Sequence, residues 1–197
     1  MNEPVMQNSS SQVTQKSSQT SLIVYTIIAI GLALFIRFFI AAPYVVSGAS
    51  MEPNFHDWNY LIIDRLTYDL SDPARGDVIV FALPGSNGRS LIKRVIGLPG
   101  ETVRIADRSV RIVNAEHPDG FVLDEPYLDE SNIGGMNDMS VSLGDDQYFV
   151  LGDNRKVSAD SRSWGTLPRA DIVGRVLVRL FPLNGIGILP GQSRYDE

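Results

Sequence analysis

The chain has 197 residues, of which 44% are hydrophobic and 20% are charged, a composition that predicts a folded protein rather than a disordered one. Its 17 Lys and Arg against 23 Asp and Glu give a net charge of -6, and without a Lys/Arg cluster this acidic balance argues against nucleic acid as a partner. Cysteine is absent, which excludes disulfides and cysteine-ligated zinc sites.

The chain begins with a polar tail followed by an apolar segment. Residues 1–21 are rich in Ser, Gln, Asn and Thr, and we expect disorder there because they bury too little apolar surface to offset chain entropy. Residues 22–42 carry one charge, Arg37, and as a helix would span about 31 Å, which predicts a transmembrane anchor. A cleaved signal peptide is the alternative, since Ala41 and Ala42 are small. The arginine inside the segment favours an anchor, whose orientation the few flanking charges leave open.

Beyond Pro43 the sequence alternates short β-type runs with turn residues. The runs are rich in β-branched and aromatic residues, and without a helical period between them they predict a mainly β, largely antiparallel domain over residues 43–197. Residues 115–143 contain Asp-Gly, Glu-Pro and Gly-Gly and indicate a loop-rich elaboration, within an insertion over about residues 100–146. The predicted strands are Tyr60–Asp64, Asp77–Phe81, Ser90–Ile96, Thr102–Ile105, Val110–Val113, Gln147–Leu151 and Gly174–Leu180.

Two serines, Ser47 and Ser50, lie in the stretch Val-Ser-Gly-Ala-Ser-Met-Glu-Pro shortly after the apolar segment. A serine becomes a nucleophile when a general base takes its proton. The two histidines of the chain, His56 and His117, stand in turn-like surroundings that place neither beside a carboxylate, which disfavours a Ser-His-Asp triad.

Lys93 is a second candidate for the base because of its place in a predicted strand. Strand alternation puts it on one face with Leu91 and Val95. If that face points to the core, loss of hydration disfavours the ammonium form and leaves a neutral amine that can accept a proton. A half-exposed strand whose Lys93 and Arg94 both reach solvent fits this stretch equally well.

Three motifs follow one another along the chain: Ser50-Met51-x-Pro53, Lys93-Arg94-x-x-Gly97-Leu98-Pro99-Gly100, and Gly152-Asp153-Asn154-Arg155-x-x-Ser158-x-Asp160-Ser161-Arg162. Each motif alone is weak, whereas together they are specific. In this order they resemble the signature segments of the type I signal peptidases. The stretch Gly76–Phe81 resembles a further one, and the likeness runs from about Pro43 to Leu183.

The resemblance implies a serine/lysine dyad and a set of supporting residues. Ser50 would be the nucleophile and Lys93 the general base, with the Ser158 hydroxyl hydrogen-bonded to the lysine amine and orienting it. Asp160 and Arg162 match positions that organise the site, which we expect them to do through a mutual ion pair.

The turn that carries the nucleophile departs from the family pattern at one position. Met51 matches a packing position beside the nucleophile. Many members have a serine two residues before the nucleophile, where its hydroxyl helps to hold the oxyanion, but Gly48 stands there and Ser47 is one residue out of register. The resemblance to members with glycine implies an oxyanion hole made by the Ser50 backbone N–H and a contribution from Gly48.

The function that the resemblance implies is that of a membrane-bound serine endopeptidase. Family members remove N-terminal signal peptides from exported preproteins, cutting after small residues of the Ala-x-Ala type through an acyl-enzyme. The implied partners are signal peptides and the lipid bilayer, with no nucleic acid, metal or cofactor, and we expect a monomer. The implied location is the plasma membrane, with one span, a cytoplasmic N-terminus and an extracytoplasmic catalytic domain.

Two other hypotheses stay open at this point. One is another serine/lysine peptidase such as a self-cleaving repressor, which would need a DNA-binding domain where this chain has an apolar segment. The other is a non-enzymatic anchored β module whose serine and lysine are structural.

Overall fold

The computed structural model describes residues 13–35, 41–86, 88–134, 137–193 and 195. It divides into two compact units, residues 1–40 and residues 41–197.

Helix α1, Val13–Phe35, is the described part of the first unit. It begins inside the tail predicted to be disordered, so the structure corrects that prediction for residues 13–21. Once a helix has formed, each added residue gains a hydrogen bond for a small entropy cost, so the apolar segment can extend the helix into its polar flank. From Leu22 to Leu34 its large apolar side chains are exposed on every side of the helix.

No helix among the described residues combines the length and apolarity needed to cross a bilayer. Residues 36–40 of the predicted span over 22–42, Arg37 among them, lie outside the described residues. Its last two residues form strand instead, because the backbones of Ala41 and Ala42 pair with those of Asp64 and Ile63.

The second unit is built from two antiparallel sheets, which confirms the predicted mainly β, antiparallel architecture. The larger sheet has the strand order β1-β2-β11-β3-β4-β9-β10, with β12 paired to β11, and the smaller has the order β7-β6-β5-β8. The strands are β1 Ala41–Val45, β2 Tyr60–Asp64, β3 Val78–Ala82, β4 Ser90–Gly97, β5 Thr102–Ala106, β6 Ser109–Val113, β7 Phe121–Val122, β8 Met139–Ser142, β9 Gln147–Leu151, β10 Leu167–Pro168, β11 Ile172–Phe181 and β12 Gly187–Ile188.

The smaller sheet lies within the stretch predicted to be an insertion. Its β5–β6 hairpin turns at Asp107 and Arg108, which have φ values of 50° and 61°, as a two-residue turn between right-twisted strands requires. Strands β7 and β8 fall in the region predicted to be loop-rich, where their short length gives little alternation to detect. This sheet has a hydrophobic core of its own, to which β9 contributes Phe149 and Leu151.

The larger sheet positions the residues that the motifs singled out. Strand β4 pairs with β3 on one side and β9 on the other, so the middle of β4 is enclosed by neighbouring strands. Two short helices, α2 Thr67–Leu70 and α3 Ser161–Trp164, contact β11 and β9 respectively, and three-residue helical turns occur at Glu130–Asn132, Arg169–Asp171 and Leu183–Gly185.

The C-terminal segment folds back onto this sheet. Strand β12 pairs with β11, the Gln192 side-chain amide donates to Asp77, and the carbonyl of Gly191 accepts a hydrogen bond from Arg94 on β4. The backbone of Ser193 passes so close to Gly76 that a β-carbon there would lie 2.0 Å from its carbonyl oxygen. The segment is therefore part of the core packing around β4.

Candidate active site

The structure brings Ser50 and Lys93 together. Lys93 lies in the enclosed middle of β4, and Ser50 lies in the turn that follows β1. The Lys93 Nζ is 2.7 Å from the Ser50 Oγ and also donates to the Ile92 carbonyl at 2.7 Å. A serine hydroxyl at this distance can pass its proton directly to an amine.

Burial controls the protonation of the lysine. The side chain of Lys93 is 2% exposed, and this loss of hydration lowers the pKa of Lys93 to about 8, an effect that the carboxylates of Asp160 and Asp153 oppose and Arg89 reinforces. A substantial neutral fraction is therefore present near pH 8. The alternative of a half-exposed strand is excluded, because the neighbouring Arg94 is also buried.

A cleft of about 270 Å³ opens over the serine and the lysine. Its two walls come from the end of β1 with the following residues and from the start of β4, and most of the lining side chains are apolar. The lining residues are Tyr44, Val45, Val46, Ser47, Ser50, Val80, Arg89, Ser90, Leu91, Ile92 and Lys93. Such a cleft fits an extended peptide with small or apolar side chains.

Ser158 lies beside the nucleophile but does not hydrogen-bond to the lysine. A β-carbon on Gly152 would be 2.2 Å from the Ser158 Oγ and 2.4 Å from the Ser50 carbonyl oxygen, so glycine lets these two residues approach each other. Among the described residues the buried Ser158 Oγ has no hydrogen-bond partner. The predicted bond to Lys93 is therefore corrected, and the amine donates to the Ile92 carbonyl.

The predicted ion pair between Asp160 and Arg162 is present. The Arg162 Nε donates to the Asp160 carboxylate at 2.7 Å, and the aspartate is fully buried. The same carboxylate accepts the backbone N–H of Gly152 at 3.0 Å, while the backbone N–H of Asn154 donates to the Ser50 carbonyl at 3.0 Å. The segment 152–162 thus fixes the turn that carries the nucleophile.

Met51 lies where it was predicted to pack, whereas Gly48 is not placed to hold the oxyanion. Met51 is fully buried in the core beneath the turn, in the predicted packing position. The N–H of Gly48 donates to the Asp57 carboxylate at 2.8 Å, so it is not free to hold an oxyanion. Within the described part of the chain no hydrogen bond is donated by the Ser50 N–H. Ser47 is exposed at the edge of the cleft.

Sequence reasoning gave no role to a buried ion pair next to the base. Arg94 donates to both carboxylate oxygens of Asp153, at 2.8 and 2.6 Å, and neither side chain is exposed. The Tyr127 ring lies 3.8 Å from the guanidinium, and the Asn54 amide also donates to Asp153. Arg94 and Asp153 both belong to the quoted motifs, so the motifs point to each residue. They do not show that the two side chains form an ion pair.

Neither histidine is placed to serve as the base. His56 is largely exposed and lies 3.5 Å from Glu52, and His117 is exposed beside Phe121. In the described ranges neither contacts Ser50, which removes the Ser-His-Asp alternative.

A serine hydroxyl in contact with a buried lysine amine on a β scaffold defines a serine hydrolase of the serine/lysine type. The family described as "Signal peptidase, peptidase S26" matches residues 19–181. The chain belongs to this family of serine peptidases.

Several relatives are similar over most of the chain. It is 38% identical over 173 residues to a probable signal peptidase I-2 of Synechocystis, covering 85% of this chain and 76% of that protein. It is 36% identical over 190 residues to a signal peptidase I of Bacillus amyloliquefaciens, covering 92% and 98%. A crystal structure of a signal peptidase I from Enterococcus faecalis is 35% identical, covers 54% of this chain and 97% of its own, and has a TM-score of 0.46.

Proposed function

We propose that this protein is a membrane-bound endopeptidase that removes N-terminal signal peptides from exported preproteins. The observation that carries the proposal is the distance of 2.7 Å between the Lys93 Nζ and the Ser50 Oγ, at a lysine that is 2% exposed. Membership of the signal peptidase family supports the same reaction.

In the mechanism, Ser50 is the nucleophile and Lys93 the general base. The Ser50 hydroxyl donates its proton to the neutral Lys93 amine while the Oγ attacks the carbonyl carbon of the scissile bond. The Ser50 N–H stabilises the oxyanion that forms. When the intermediate collapses, the lysine ammonium gives its proton to the leaving amine, and an acyl-enzyme remains. Water then gives a proton to the lysine and attacks the ester carbonyl. The bond to the Ser50 Oγ breaks, the lysine returns the proton to that oxygen, and the signal peptide leaves with a free carboxylate.

The shape of the cleft supports cleavage after small residues. Its walls contain Tyr44, Val46, Leu91 and Ile92, which leave a mostly apolar channel leading to Ser50. Ala side chains of an Ala-x-Ala sequence would fill such a channel without burying an unpaired polar group. Ser158 would act as a positioning residue that shapes the site beside Ser50.

Attachment to the plasma membrane would be made by residues 22–40. Between Leu22 and Leu34 the helix exposes large apolar side chains on all sides, a surface that lipid would cover. The N-terminus would lie in the cytoplasm and the β unit outside, where the cleavage sites of exported proteins emerge. We propose that the protein acts there as a monomer.

The test is cleavage of a preprotein by the full chain in detergent. Ser50→Ala and Lys93→Ala should each abolish cleavage while the unfolding transition is kept, and the double variant should be no worse than either, because the two residues act as one proton-transfer unit. An acylating inhibitor such as a penem should label the wild type and not Ser50→Ala. The matched control is Ser140→Ala, an exposed serine of β8. Cleavage by Ser50→Ala at the control rate would overturn the proposal.

A further inference from the structure

A basic pocket lies next to the catalytic pair on the side of Ser158. It has a volume of about 300 Å³. Among the described residues that line it, three are cationic and none is acidic. The lining of this basic pocket consists of Asn137, Met139, Arg155, Lys156, Ser158, Arg162 and Ser163.

The three cations present their charge to the basic pocket in different ways. Arg155 is held by Glu125 and Arg162 by Asp160, and neither carboxylate lines the pocket. Lys156 is exposed and makes no salt bridge within 4.0 Å among the described residues, although the charge of the exposed Asp129, which does not line the pocket, interacts with it. The pocket is thus a local cationic concavity on a chain whose net charge is -6.

The apolar stem of Lys156 fixes where its ammonium group can reach. A β-carbon on Gly134 would lie 3.1 Å from the Lys156 Cε and 3.2 Å from its Cγ, so the stem passes directly over this glycine. A stem supported in this way loses less freedom when the ammonium group binds an anion.

The basic pocket and the cleft are separate concavities, and Ser158 brings the basic pocket close to the backbone of Ser50. Ser50 and Lys93 line the cleft, Ser158 lines the basic pocket, and the two linings share no residue. The Ser158 Oγ and the Ser50 carbonyl oxygen both lie within 2.5 Å of the position that a Gly152 β-carbon would take. Because the proposed function assigns the apolar cleft to the acyl side of the substrate, the basic pocket is a separate concavity near Ser50 that is left for the residues beyond the scissile bond.

We propose that the basic pocket binds an acidic side chain of the substrate within the first three residues after the scissile bond. This inference rests on the proposed function, since it assigns the apolar cleft to the signal-peptide side. The Lys156 ammonium attracts the substrate carboxylate, the fixed charges of Arg155 and Arg162 add to the field, and a lysine at the same substrate position is repelled. The segment that binds in the basic pocket is the N-terminal segment of the mature protein. It binds there as part of the preprotein before cleavage and as the leaving amine after it.

The experiment compares peptides that share one Ala-x-Ala sequence and differ in the residue after the scissile bond. Asp, Gln or Lys is placed at each of the first three positions in turn, and kcat/KM is measured with the full chain in detergent. At one of these positions the wild type should prefer Asp over Lys by about fivefold or more, the scale of a partly exposed ion pair, and the preference should shrink as salt is raised.

Lys156→Glu should reverse the preference so that Lys is favoured over Asp, and Lys156→Gln should reduce it to the part that Arg155 and Arg162 supply. Arg104→Glu makes the same charge change on an exposed residue of β5 and should keep the wild-type preference. If Lys156→Glu does not fold, Lys156→Gln and the salt dependence of the wild type still test whether the basic pocket binds the acidic side chain.

Two different failures can be told apart. If the wild type cleaves none of the peptides, or Ser50→Ala cleaves them equally well, the proposed function fails. If the wild type cleaves them with no preference for Asp, or if Lys156→Gln and Lys156→Glu keep that preference, the basic pocket is not a subsite and only this inference fails.

Discussion

Replacement of Lys93 by methionine should inactivate the enzyme and stabilise its fold at low pH. Methionine has nearly the length of lysine and no charge, so it removes the cost of burying an ammonium group while filling the same space. The fall in the pKa of Lys93 from 10.5 to about 8 corresponds to about 3 kcal/mol of unfavourable free energy for the charged form in the folded state.

The sign of the pH dependence follows from proton uptake. Below the folded pKa of about 8 the lysine is charged in both states and the full cost is present; between about 8 and 10.5 the unfolded chain binds more protons, so wild-type stability rises with pH. Methionine does not titrate. The stability of Lys93→Met relative to wild type should therefore be greatest at pH 6 and should fall by most of about 3 kcal/mol by pH 10.5.

Urea unfolding of the full chain in detergent at pH 6, 8 and 10.5 measures this difference. Some of the gain at pH 6 is offset by the lost hydrogen bond to the Ile92 carbonyl, worth about 1 kcal/mol, but that loss does not vary with pH. Lys156→Met, at an exposed lysine, is the matched control and should show no such trend. If the stability of Lys93→Met runs parallel to wild type from pH 6 to 10.5, the pKa of Lys93 is not lowered and the argument for a neutral base is refuted.

Three further predictions concern the site and its support. Cleavage by the wild type should rise along an acidic limb centred near pH 8 and then level, because burial sets the pKa of Lys93 there, and Lys93→Arg should be inactive because guanidinium stays protonated; a rate that climbs without levelling to pH 10 would contradict this. Asp153→Asn should lower the free energy of unfolding by about 3–5 kcal/mol, since it leaves Arg94 buried with an uncompensated charge, and unchanged urea unfolding would count against the ion pair. Gly152→Ala should reduce kcat by about 100-fold, because its β-carbon would lie 2.2 Å from the Ser158 Oγ and must displace the site, and a wild-type kcat would show that the site relaxes freely.

Much of the larger sheet could be predicted because its strands are long and regular. Tyr60–Asp64 and Gln147–Leu151 were predicted with the bounds that the structure has, since β-branched and aromatic runs end there at turn residues. Strand β1 could not be predicted, because Ala41 to Val45 continue the apolar segment in composition and become a strand only through pairing with β2. A local sequence pattern does not show which distant segment a strand will pair with.

In the site, too, the residues within one motif could be predicted, whereas contacts between distant segments could not. The motifs identified the serine and the lysine that the structure places in contact, and the ion pair of Asp160 with Arg162 is local. The bond from Gly48 to Asp57 could not be predicted, because it depends on how the turn after β1 folds back. The bond from Lys93 to the Ile92 carbonyl and the unpartnered Ser158 hydroxyl likewise depend on how distant segments pack together.

Because the C-terminal segment packs against β4, the fold around the dyad is completed only late in translation. Arg94, the immediate neighbour of Lys93, donates a hydrogen bond to the carbonyl of Gly191, nearly a hundred residues later in the chain. A nascent polypeptide that has emerged only through Arg162 holds both residues of the dyad, yet it lacks strand β11, which pairs with β2 and β3, and the carbonyl that accepts the Arg94 hydrogen bond. We expect the peptidase to become active only when β11 and the segment around Gly191 have been made and have docked.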